Sequence, residues 1–115
     1  MKYEEFKNGM DAYRRTVDDE AKSLKDSFSV VLKLSAMYRK LDNEERNFAD
    51  RVLAEWVLSK DECLRFDALA LIDDFKVLES LPALEELAKR LYSSCTPGAP
   101  YELQKVNRII KKFSS

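Results

Sequence analysis

The segment from Leu64 to Leu91 limits the fold of this chain more than any other feature. It reads Leu-Arg-x-x-Ala-x-x-Leu-Ile-x-x-Phe, then a short connection, then Leu-Pro-Ala-Leu-x-x-Leu-Ala-x-x-Leu. Two apolar stripes of helical period follow one another, with a proline where the second helix begins. An amphipathic helix must bury its stripe, and two short ones joined by a tight turn do so against each other as an antiparallel hairpin.

The rest of the sequence extends this reading to an all-α domain. Two glycines and three prolines in 115 residues leave little material for β-turns, and no segment alternates with period two over a strand's length. Charged residues make up 36% and hydrophobic residues 45%, a composition of long helices rich in Glu, Lys, Arg, Leu and Ala. A chain of this length is expected to form one domain, residues 1–115, burying about 65% of its unfolded surface without metals or disulfides.

The periodicity predicts about six helices, at 2–24, 27–41, 43–58, 60–78, 81–93 and 100–113. The first carries Tyr3, Phe6, Met10, Tyr13, Val17 and Leu24 on one stripe, with Asp26 or Ser27 as caps for the second. The second and fourth are apolar on most sides and are expected to be inner helices, covered by the one-faced third and fifth. Asp42 with Glu45 reads as a capping box for the third helix, and Ser59 with Glu62 as one for the fourth. Pro82 opens the fifth and Pro100 the sixth, after the one strong loop signal, Thr-Pro-Gly-Ala-Pro.

Arg65, Ala68, Ile72 and Phe75 resemble the Arg, Ala, Leu and Leu of the first helix of a HEAT repeat. Leu81-Pro82-Ala83-Leu84 with Leu87 and Leu91 resembles the second helix. Val77-Leu78-Glu79 stands where that family has a Gly-Asp-Pro-like turn. The match spans about a quarter of the chain. It implies antiparallel hairpins stacked as a short HEAT-like α-solenoid. A short all-helical chain of this kind also resembles bacterial immunity proteins of polymorphic or contact-dependent growth-inhibition systems. That resemblance implies a cytoplasmic protein bound 1:1 to a cognate toxin domain, such as a nuclease with a basic cleft.

Catalytic chemistry has few residues to work with. The absence of histidine removes the commonest general base and the His-dependent triads, and Gly9 and Gly98 alone make no phosphate loop. No cofactor or metal is expected. Cys63 and Cys95 fit no paired motif and read as reduced thiols, Cys63 as a small side chain against the core. Asp67 and Asp74 share a helical stripe about 10.5 Å apart along the axis. They read either as converging carboxylates or, more simply, as rim aspartates pairing with Arg65 or Lys76. Met1 to Gly9 lacks the apolar region of a signal peptide, and no apolar run is long enough to span a membrane.

The expected function is therefore binding rather than catalysis, with a protein as partner. The outward residues of the third helix (Asn47, Arg51, Glu55) and of the fifth (Glu86, Lys89, Ser93) are one candidate docking surface. The acidic run Asp18-Asp19-Glu20 is another, although a solvated face accounts for it more simply. Nucleic acid is the alternative partner. The segment from Gln104 on holds Lys105, Arg108, Lys111 and Lys112 and no acid, but with a net charge of −1 the remainder carries −5, which opposes phosphate binding. Cations near a helix C-terminus also need no ligand to explain them.

Overall fold

The computed structural model describes residues 2–24 and 28–114. Among them the chain forms six α-helices and no strand: α1 (Tyr3–Leu24), α2 (Phe28–Arg39), α3 (Asn43–Val57), α4 (Glu62–Phe75), α5 (Leu81–Tyr92) and α6 (Ala99–Ser114). A single 3-10 turn, Leu78–Ser80, precedes α5. The all-α class read from the periodicity is the class observed. The caps expected at Asp26 or Ser27, and the side chain of Leu24, lie outside the described residues.

The chain divides into two compact units, Met1–Val52 and Leu53–Ser115, with α3 running through the division. In the first unit, Met10, Val17 and Ala21 of α1 and Val30, Val31, Leu34 and Tyr38 of α2 are buried. Glu20 of α1 accepts a 2.8 Å bond from the Lys33 ammonium of α2. Phe48 of α3 meets Tyr3 and Phe6 of α1 with ring centroids 5.9 and 5.8 Å apart. The Tyr38 hydroxyl donates to Asp50 at 2.8 Å. The α3 start is the reciprocal box expected from sequence: the Glu45 amide donates to the Asp42 carboxylate at 2.8 Å, and the Asp42 amide to Glu45 at 3.1 Å.

One expectation for this unit fails. The second helix is not covered on most sides, because Phe28 is 61% and Leu32 56% exposed, and Ala36 is exposed on the same stripe. Residues at i, i+4 and i+8 share one face. In α2 that face lies opposite the buried arc of Val30, Val31, Leu34 and Tyr38.

In the second unit the buried side chains come from every helix: Leu53, Trp56 and Val57; Ala68, Leu69, Leu71 and Ile72; Leu84, Leu87 and Leu91; Val106, Ile109 and Phe113. Two ion pairs fix the direction of α4 against α6. Arg65 meets Glu102 near one end and Asp73 meets Lys112 near the other, so the two helices run parallel. The intervening α5 returns the chain between them and joins α6 through residues 93–98. Arg90 of α5 also donates to the Leu58 carbonyl at 3.3 Å.

The bounds of α4 differ from the expected 60–78. Its cap is Asp61, whose carboxylate accepts from the amides of Cys63 (2.9 Å) and Leu64 (3.3 Å), and the Ser59 hydroxyl accepts from the Asp61 amide instead of capping the helix. The helix stops because Lys76 turns left-handed, at φ 50°, and lets the Val77 amide reach back to the Ile72 carbonyl at 3.1 Å. The 3-10 turn then carries the chain into Pro82, in the first turn of α5, with the Ser80 hydroxyl donating to the Val77 carbonyl at 2.6 Å.

Candidate functional site

Two of the open grooves of the second unit flank α6. The first lies between α4 and α6 and has a volume of about 290 Å3, with Leu69 on its floor, Phe66 and Tyr101 as walls, and Glu62, Gly98, Glu102 and Lys105 around the rim. Two pieces of local structure place these groups. Asp61 starts α4, so Glu62, Phe66 and Leu69 fall on one stripe of that helix, and the residue 93–98 loop starts α6 so that Tyr101 and Lys105 fall on one stripe opposite.

Charge in this groove is distributed unequally. Arg65 holds Glu102 through two bonds, Nε to Oε2 at 2.7 Å and Nη2 to Oε1 at 2.9 Å, and its Nη1 donates to the Ser59 carbonyl at 3.1 Å. Both side chains are only 15% exposed. Hydrogen bonding to the Glu102 carboxylate holds the Arg65 guanidinium above its already high range, against the opposing effect of burial. Lys105 forms no ion pair among the described residues; its ammonium sits 4.3 Å from the centroid of the Phe66 ring. The Glu62 carboxylate likewise has no hydrogen-bond or ion-pair partner among them, and lies about 3.8 Å from where a β-carbon on Gly98 would sit.

The second groove, about 370 Å3 and shallower, lies between α5 and α6 and is lined by Ala88, Lys89, Tyr92, Ser93, Leu103 and Asn107. Tyr92 is 82% and Tyr101 78% exposed, and Phe66 is 47% exposed. Three large aromatic side chains therefore stand at solvent around grooves of the same unit.

The residues singled out from sequence separate into groups. Lys89 and Ser93 share the α5–α6 groove, while Glu86 on the same helix bonds Arg90 at 3.4 Å. Glu55 is exposed in the second unit, and Asn47 and Arg51 are exposed in the first. The Arg51 guanidinium is engaged at 3.9 Å over the Tyr3 ring. In the acidic run, Asp18 lies between Arg14 (3.8 Å) and Lys22 (3.2 Å), Glu20 bonds Lys33, and Asp19 is exposed. The run is thus largely balanced by cations one turn away or on the neighbouring helix.

Three simpler expectations are corrected. Asp67 is buried rather than on the rim, because the sides of α4 that carry Ala68, Leu71 and Ile72 are covered as well. The partner of Arg65 is Glu102, not an aspartate of its own helix. Cys63 is exposed in the first turn of α4, not set against the core. Among the described residues no three Cys, Asp or Glu side chains gather as metal ligands do, and no helix is long and apolar enough to cross a membrane.

Of the basic stretch in α6, Lys112 bonds both the carboxylate (2.9 Å) and the carbonyl (3.3 Å) of Asp73, and Lys105 lies on Phe66. Those two cations serve the α4–α6 contact. Sequence reasoning passed over Phe66, Tyr92 and Tyr101 as exposed groove residues. The signal was available for the two tyrosines, which stand off the apolar stripes of helices whose core positions are Leu84, Leu87, Leu91 and Val106, Ile109, Phe113. Compared with protein-family models, with curated proteins and with solved structures, the chain shows no match.

Proposed function

We propose that this chain is a non-enzymatic protein-binding domain, and that it acts as an immunity protein holding a cognate bacterial toxin in a 1:1 complex. The observation that carries the binding reading is the set of exposed aromatic side chains, Phe66, Tyr92 and Tyr101, bordering open grooves. Tyrosine supplies large, stiff contact area with a polar end and is enriched where binding energy concentrates. Aromatic side chains left at solvent beside grooves cost a monomer exposed apolar surface, and a docked partner removes that cost. The toxin–immunity assignment rests on the resemblance in kind noted for short all-helical chains, supported by a residue set without histidine.

The test is co-expression with the product of the gene immediately upstream. The expected result is protection of cells from that product and a 1:1 complex by light scattering after gel filtration. Toxicity that persists unchanged, with the two proteins eluting separately, rejects the immunity assignment. For the nucleic-acid alternative, the engagement of Lys105 and Lys112 within the fold is unfavourable. A low-salt gel shift with retention that falls steeply as salt rises would revive it.

A further inference from the structure

We infer that the α4–α6 groove receives an arginine side chain presented by the partner protein, and that Lys105 is the resident cation which this side chain replaces on the Phe66 ring. The inference rests on the protein-binding reading and names what the partner brings. It starts from an imbalance inside the groove. Glu102 is engaged by two bonds from Arg65, whereas the carboxylate of Glu62 accepts no hydrogen bond among the described residues and reaches Arg65 only through its field.

Beside Glu62 stand two aromatic rings. One already holds an ammonium on its face, Lys105 at 4.3 Å, so this wall is suited to a cation. The other, Tyr101, is largely open to solvent. A planar guanidinium stacks on an aromatic face and bonds a carboxylate with the same group, which an ammonium does less well. The groove's volume of about 290 Å3 is at the low end for ligand pockets and suits one inserted side chain better than a drug-sized molecule.

The walls are also pre-set. Arg65–Glu102 and Asp73–Lys112 clamp α4 to α6 at both ends of the groove, so docking need not order them. The α2 stripe of Phe28, Leu32 and Ala36 offers apolar area without any charge to name its occupant. The α5–α6 groove offers a lysine and no carboxylate. Of these three surfaces, the α4–α6 groove combines open rings with a carboxylate that accepts no hydrogen bond among the described residues.

The experiment uses the full chain, 15N-labelled, titrated with a short labelled Gly–Ser peptide bearing arginines, and with analogues carrying citrulline or glutamate in their place. Support consists of amide shifts centred on Glu62, Phe66 and Tyr101, with the citrulline peptide binding at least about tenfold more weakly. Glu62→Gln and Tyr101→Ala should each weaken the arginine peptide by about three- to tenfold, and Lys105→Met should tighten it by about threefold, since the resident competitor is gone. Glu85→Gln, which removes an exposed α5 carboxylate away from the rings, should change nothing.

The inference is overturned by preference for the glutamate peptide, by weaker binding in Lys105→Met, by an equal effect of Glu85→Gln, or by no binding at all. An upstream-encoded toxin that binds Glu62→Gln and Tyr101→Ala as tightly as the parent also overturns the groove assignment, while leaving the protein-binding reading standing.

Discussion

Glu102→Ala tests the clamp between α4 and α6 and has a magnitude that follows from the geometry. The substitution removes both bonds to Arg65 and leaves a guanidinium at 15% exposure hydrogen-bonded only to the Ser59 carbonyl, 3.1 Å away, with the charges of Glu62 and Asp61 acting on it at longer range. Losing one partner of a fully buried pair costs about 3–5 kcal/mol, and an exposed pair is worth about 0–1 kcal/mol. A pair at this exposure lies toward the buried limit with some screening, so about 2–3 kcal/mol is expected. Unfolding entropy near 2.1 cal/mol/K per residue gives about 0.24 kcal/mol/K for 115 residues, hence a Tm lower by about 8–12 °C. The double variant Arg65→Met/Glu102→Leu, which leaves no charge stranded, should cost about 1 kcal/mol or less. Urea denaturation followed by fluorescence suits the measurement, because Trp56 is the one tryptophan and is buried in the second unit. A Glu102→Ala cost under about 1 kcal/mol, or a double variant as costly as the sum of its singles, would refute the reasoning.

Three further outcomes are expected. Glycine exchanges in opposite senses should both stabilise: Gly9→Ala by about 0.5–1 kcal/mol, since a β-carbon there meets nothing within 4 Å, and Lys76→Gly by about 0.5 kcal/mol, since it relieves the left-handed φ of 50°; urea midpoints report both. Leu34→Ala should cost about 3 kcal/mol because Leu34 is fully buried, whereas Leu32→Gln two positions earlier should stay within about 0.5 kcal/mol; equal losses in chemical denaturation would contradict the exposed α2 stripe. Tm should be flat between about pH 6 and 8, since no histidine titrates there. Lys33, raised by its hydrogen bond to Glu20, contributes fully below the ordinary lysine range and loses its contribution only as pH rises through its raised pKa. A calorimetric Tm that moves across neutral pH would expose a titrating group outside this account.

Local signals were legible where the physics is local. The Asp42–Glu45 box was readable because its partners are three residues apart. At the next helix start, Ser59 and Asp61 both offered an oxygen, and which one capped α4 depended on how the chain left α3. The end of α4 at Lys76 was invisible, because the left-handed turn lacks the glycine that usually marks it. For α2, apolar residues on most sides implied cover on most sides, yet Phe28 and Leu32 face solvent. Hydropathy describes a face and does not supply the element that lies against it.

The candidate site divides in the same way. Lys89 and Ser93 were readable as outward residues of a one-striped helix, and their groove is where the fold places them. Glu62, Phe66, Tyr101 and Lys105 could not be gathered from sequence, since they come from helices on either side of α5. Helix type, approximate bounds and buried stripes follow from spacing along the chain, because backbone hydrogen bonds and side-chain faces repeat every few residues. The pairing of Arg65 with Glu102, the parallel run of α4 and α6, and the Glu62 carboxylate left beside open rings arise only when distant segments meet. Charge and contact at such distances depend on position in space, which tertiary packing alone supplies.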